Sequence, residues 1–239
     1  MKYFFCLIFL LIAGISDAQY VANRADSTGN PLNNELRPDS LLKPLIKPFY
    51  LPQLYVPAAL MTTGIVSTTL FTAQLKYGIV EERNEHFSNF HTNIDDYLQY
   101  APIPIAYGLD ALGFKSKNDI LNRSFILLKG EALMLVSVNI LKYTTKELRP
   151  DGTNIYSFPS GHTAQAFAAA TFLSEEYKGK YPWMPYVAYG MATTTGLLRL
   201  ANNRHFIGDV LMGAGLGIIS MKLSYWTHQY KWGKRRKHY

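Results

Sequence analysis

Residues 120–150 read ILNRSFILLKGEALMLVSVNILKYTTKELRP. From Ile120 to Leu141 this is an apolar segment that carries Lys129 and Glu131 inside it. It shows no period-two alternation and is long enough for a helix, so it reads as α and not β. Lys129 and Glu131 are two apart and do not face each other on a helix, so they are expected to pair with other segments or to mark a face turned away from lipid. Lys142 and Arg149 are seven apart, which at ~100° per residue returns to within ~20° of one helix face. Two cations stacked there form a clamp for a dianion such as phosphate. Pro150 is expected to stop the helix.

Working outward, other apolar segments are of the same kind. Phe49 to Leu75 has no charge and is long enough to span a bilayer, with Pro52 and Pro57 near its start where helices tolerate proline. Tyr97 to Phe114 is interrupted by Pro102, Pro104 and Asp110 and is a weak span. Gly161 to Leu173 is rich in Ala, Trp183 to Leu200 ends with Arg199, and Phe206 to Trp226 holds Asp209. Gly213 and Gly217 in the last are four apart, a spacing that lets helices approach closely. The expected class is all-α, a bundle of about five to six helices, with no internal repeat.

Composition bounds what such a bundle does. The chain has 239 residues, 48% apolar, with only 17% charged against about 25% in ordinary soluble domains. Aromatics reach 14%, with 17 Tyr. Scarce charge and abundant Tyr are common near membranes, yet the mean hydropathy of −0.04 is low for a chain wholly in lipid. Lys231, Lys234, Arg235, Arg236 and Lys237 carry five of the net +7 charges, so the rest of the chain is close to balanced. That tail, beside Trp226 and Trp232, suits anionic headgroups or a cytoplasmic flank and does not suggest nucleic-acid binding.

The N-terminus reads as an export signal, with an uncleaved membrane anchor as the competing reading. Lys2 precedes an apolar run from Tyr3 to Ile12 and then Ser16-Asp17-Ala18, with cleavage expected after Ala18. The only Cys, Cys6, lies inside this segment, so a processed chain has no disulfide, thiol nucleophile or Cys-based metal site. Residues 19–48 are polar and rich in Asn, Pro and Ser and read as a tether. The expected organisation is a signal over 1–18, the tether over 19–48, a catalytic domain over 49–228 and a basic tail over 229–239.

Two further clusters carry chemistry. Pro159-Ser160-Gly161-His162 lies directly before the Ala-rich run. Ser160 is suited to capping, Gly161 lets backbone approach a ligand, and a helix N-terminus of this kind binds an oxyanion. His162 in the first turn then reaches that anion as a proton donor. His205 and Asp209 are i, i+4, so a carboxylate can hold one imidazole nitrogen and leave the other as nucleophile or base. Arg199 adds a third cation. His86, His91, Asp95 and Asp96 sit in a polar stretch and read as solvated surface, not as a metal site.

Lys-x6-Arg-Pro at 142–150, Pro-Ser-Gly-His at 159–162 and Arg-x5-His-x3-Asp at 199–209 resemble the three signatures of the type 2 phosphatidic acid phosphatase (PAP2) superfamily. That family includes membrane lipid phosphatases, secreted acid phosphatases and vanadium haloperoxidases. The resemblance runs from 142 to 209 and into the following helix, and residues 1–120 carry no motif. Leu198 departs from it, since the family usually has Ser before the arginine. The resemblance implies that His205 attacks phosphorus with Asp209 orienting it, and that His162 protonates the leaving alcohol. Lys142, Arg149, Arg199 and the Ser160–Gly161 turn would hold the phosphoryl oxygens. It implies no metal and no cofactor, and a phosphorylated lipid as substrate.

Both motif-bearing loops flank one hairpin (161–200) and so fall on one side. The expectation is an exported, membrane-associated phosphatase whose site faces the periplasm and whose tail faces inward, as positive charge favours. Export of the N-terminus fits that side only if Tyr97–Phe114 does not span. A soluble periplasmic acid phosphatase, a haloperoxidase and a non-catalytic membrane module are the alternatives.

Overall fold

The computed structural model describes residues 49–68 and 73–228. The signal segment, the tether and the basic tail lie outside the described residues. Among those described there are helices and turns and no strand: a short 3-10 turn at Leu51–Leu54, then α1 (Tyr55–Val66), α2 (Ala73–Phe87), α3 (Ile94–Leu98), α4 (Pro102–Ala111), α5 (Ile120–Thr145), α6 (Gly161–Tyr177), α7 (Met184–Ala201) and α8 (Ile207–Thr227). Six of these have twelve residues or more, in keeping with the all-α bundle of about that size.

At the centre lies α8, which packs on α6, α1 and α5, while α6 also meets α7 and α4. The close approach of α8 to α6 is made by glycine. A methyl group at Gly213 would sit 2.5 Å from the Ser160 carbonyl oxygen, and one at Gly217 would overlap the Ala164 carbonyl. Ala164 and Ala168 face them from α6, so the two backbones meet with only small side chains between. Helix α6 is buried over almost its whole length, as its Ala-rich composition requires. Its two buried carboxylates are paired, Glu175 with Lys178 and Lys222, and Glu176 with Asn118 and the Tyr225 hydroxyl.

Lys129 and Glu131 do reach other segments. Lys129 Nζ donates to the Ser224 carbonyl and Thr227 on α8, and Glu131 accepts from Gln165 on α6. Elsewhere α5 turns apolar residues outward, with Leu121, Leu128, Leu135, Val136 and Ile140 all exposed. Only α5 and α8, among the described residues, are long and apolar enough to cross a membrane.

One expectation is corrected, and the interrupted segment is broken as its prolines imply. The uncharged run from Phe49 to Leu75 is not one long helix, because α1 ends at Val66. The hydroxyls of Ser67 and Thr68 donate to the carbonyls of Gly64 and Ile65 and close the helix there. Tyr97–Phe114 is divided into α3 and α4, the latter starting at Pro102, a position where proline leaves no helical hydrogen bond unmade.

Candidate active site

Four helix ends meet at one end of the bundle: the C-termini of α5 and α7 and the N-termini of α6 and α8. Helix α5 stops at Thr145, where Lys146 takes a left-handed conformation (φ 49°) as its cap. This corrects the expectation that Lys142 and Arg149 stack on one helix face and that Pro150 ends the helix. Arg149 instead sits in a strap, 146–157, which returns toward α6. The strap is tied by Arg149 N to Asn154 O and by Ser157 N to Glu147 O. Lys76 of α2 pairs with the Glu147 carboxylate. Lys142 Nζ donates to Tyr156 O at 2.7 Å, and Arg204 pairs with Asp151 at 2.9 Å.

Ser160 is the N-cap of α6, fully buried, its Oγ accepting from Thr163 N. Its own N–H donates to the Asp209 carbonyl at 3.0 Å, so the turn before α6 is bonded to the first turn of α8. His162 follows in the first turn with its side chain about one third exposed.

His205 precedes α8 and is 2% exposed. Its Nδ1–H donates to Asp209 Oδ2 at 3.3 Å, so Nε2 is the nitrogen not engaged by this carboxylate. That same oxygen accepts from Phe206 N at 2.9 Å and from Ser157 Oγ at 2.5 Å, so three donors fix the carboxylate. Ser157 lies two residues before the Pro159–His162 motif and carries no signal of its own in sequence, since only the folded strap brings it to Asp209. Burial first, then the charges of Lys142, Arg199 and Arg149, hold the His205 imidazole well below the ordinary histidine range.

Arg199 is 6% exposed and pairs with Asp95 at 2.5 Å. Asn202 also donates to Asp95, at 3.1 Å, and exchanges two hydrogen bonds with the Thr92 backbone. Asp96, the next residue, accepts from His162 Nε2 at 2.7 Å. This corrects the reading of Asp95 and Asp96 as solvated surface: Asp95 is fully buried and both carboxylates contact site residues. Nothing in sequence pointed there, because the partners lie 104 and 66 residues away. His86 does lie on the surface, next to Glu82 and Glu85.

Asp96, His162, Arg149, Arg199, Arg204 and His91 line a polar cavity of about 250 Å3. His205 lines a neighbouring one of about 230 Å3, beside Lys76 and Phe206. The Nε–H groups of Arg149 and Arg199 are buried with no hydrogen-bond partner among the described residues. Burying cationic donors unpaired is costly, and a bound anion removes that cost. Burial and Arg199 depress the His162 pKa, against the opposing pull of Asp96. Chemically the arrangement offers a neutral imidazole, a carboxylate that orients it, three cations and a second histidine beside them.

The profile of the PAP2 superfamily matches residues 124–233. A lipid A 1-phosphatase of Porphyromonas gingivalis is 39% identical over 163 residues, covering 68% of this chain and 37% of that protein. A lipid A 1-phosphatase of Helicobacter pylori is 30% identical over 102 residues, covering 37% of this chain and 51% of that one. The chain thus spans between about a third and a half of the length of these relatives. A PAP2-type transmembrane phosphatidylglycerolphosphate phosphatase of Bacillus subtilis shares the fold, with a TM-score of 0.52 at 20% identity over 72% of this chain and 94% of that one.

Proposed function

We propose, from the match to the PAP2 superfamily profile and from the geometry of the site, that this chain is a PAP2-type lipid phosphatase acting on a lipid A-type 1-phosphate. The observation that carries the reading is the gathering of Lys142, Arg149 and Arg199 around a buried His205–Asp209 pair, with two arginine Nε–H groups left for an anion. In this reading His205 Nε2 attacks phosphorus while Asp209 holds Nδ1–H. The N–P bond forms as the bond from phosphorus to the leaving oxygen breaks, and His162 gives that oxygen a proton. Water then attacks the phosphohistidine, returning its proton to His162 and freeing inorganic phosphate and His205. The three cations neutralise the phosphoryl oxygens as charge builds on them.

The exposed apolar stripe of α5 favours a bilayer setting over the soluble alternative. The chain leaves α8 at the end remote from the site, and positive charges follow it in sequence. The positive-inside tendency then puts the tail in the cytoplasm and the site in the periplasm.

The test is phosphate release by purified protein from lipid A 1-phosphate, phosphatidic acid, phosphatidylglycerophosphate, undecaprenyl diphosphate and a water-soluble ester. Lipid A 1-phosphate is expected to be the best substrate, and His205→Ala to lower its turnover roughly a thousandfold or more. Activity on the soluble ester alone contradicts the lipid reading, and an active His205→Ala contradicts the mechanism. Sealed spheroplasts that release phosphate from added substrate only after lysis contradict the outward-facing site.

A further inference from the structure

Two carboxylate–imidazole pairs stand in this site, and only one is encoded locally. Asp209 serves His205 from four residues away. Asp96 meets His162 from α3, a segment outside the residues that match the family profile. The contact is short, at 2.7 Å, and the segment bearing it is anchored. Asp95 is pinned by Arg199 and Asn202, and Asn202 ties the Thr92 backbone to the end of α7. Asp96 therefore comes from a fixed backbone and not from a free loop.

An imidazole can serve a leaving group from one nitrogen only. With Nε2–H donated to Asp96, Nδ1 is the nitrogen left for the substrate oxygen. Resting on the phosphatase reading above, we infer that Asp96 is a positioning residue for proton donation, setting the ring orientation of His162 and favouring its protonated form. Other groups near His162 are Asp95 on α3, Arg199 on α7, Arg149, Arg204 and His91 from the loops around the cavity, and His205 on the neighbouring one. Arg199 disfavours a charged ring, and Asp96 is the carboxylate in direct contact. A phosphate dianion in the cavity adds a second negative neighbour and favours the protonated ring further.

The experiment compares Asp96→Asn with wild type on an alkyl phosphate, whose leaving oxygen needs a proton, and on p-nitrophenyl phosphate, whose leaving group departs without one. Expected is a loss of about 10- to 100-fold in kcat/KM for the alkyl ester and under about threefold for the aryl ester. The alkaline limb of the alkyl-ester pH profile should move to lower pH, because removing the carboxylate makes the imidazolium easier to deprotonate. In a His162→Ala background, Asp96→Asn should add no further loss. Equal losses on both esters, an unmoved alkaline limb, or full additivity with His162→Ala overturns the inference while leaving the phosphatase reading intact. A wild-type protein that releases phosphate from no ester overturns both.

Discussion

The histidine proposed to attack phosphorus has to be unprotonated when the substrate arrives, and the surroundings of His205 favour its neutral form. Burial disfavours its charged form, and Lys142, Arg199 and Arg149 add to that. Its pKa therefore lies below the ordinary 6.5, and the ring stays neutral as pH falls through 6.5. In a histidine NMR titration of the substrate-free protein, the resonance lost in His205→Ala should keep its neutral-form shift at pH 6.5 and titrate only at lower pH. A midpoint at or above 6.5 contradicts this account of the nucleophile. The His205–Asp209 pair was legible in sequence because four residues is one helical turn and the contact is local. Asp95, Asp96 and Ser157 were not, since their partners are 104, 66 and 52 residues distant, and no spacing rule reaches that far.

At the scale of elements, the motif at 142–150 was read through a geometry that the structure does not have. Helix periodicity would stack Lys142 and Arg149, but Lys146 turns left-handed and the strap delivers Arg149 from outside the helix. The glycine spacing in the last apolar segment fared better, since small residues four apart act through helix packing, which sequence period does capture. Its energetic content can be measured. Gly217→Ala places a methyl group against the Ala164 carbonyl, whereas Gly190→Ala on exposed α7 surface meets nothing within 4 Å. Overpacking at such a contact costs about 1–3 kcal/mol, while alanine at an exposed helical glycine stabilises by roughly 0.5–1 kcal/mol. Thermal unfolding in detergent should show a lowered midpoint for Gly217→Ala and an unchanged or raised one for Gly190→Ala. Equal midpoints contradict the tight α6–α8 contact. The unbroken uncharged run at Phe49–Leu75 misled for a related reason: hydropathy does not see that Ser67 and Thr68 can close a helix with their own hydroxyls.

Over the whole molecule, the polarity is divided by position. One end of the bundle brings together Arg149, Arg199, Arg204, His91 and His162, and the flank of α5 turns Leu, Val and Ile outward. Helix α3 lies outside the profile match yet supplies the carboxylates that hold Arg199 and His162, so the working unit is larger than its signatures. The central claim is that His205 carries the phosphoryl group during turnover of a lipid phosphate. The direct measurement is to mix the protein with radiolabelled lipid A 1-phosphate, quench in alkaline detergent, and locate the label by peptide mapping. The account predicts label on His205 at short times and none in His205→Ala. Turnover with no labelled histidine at any time, or label that survives His205→Ala, contradicts it.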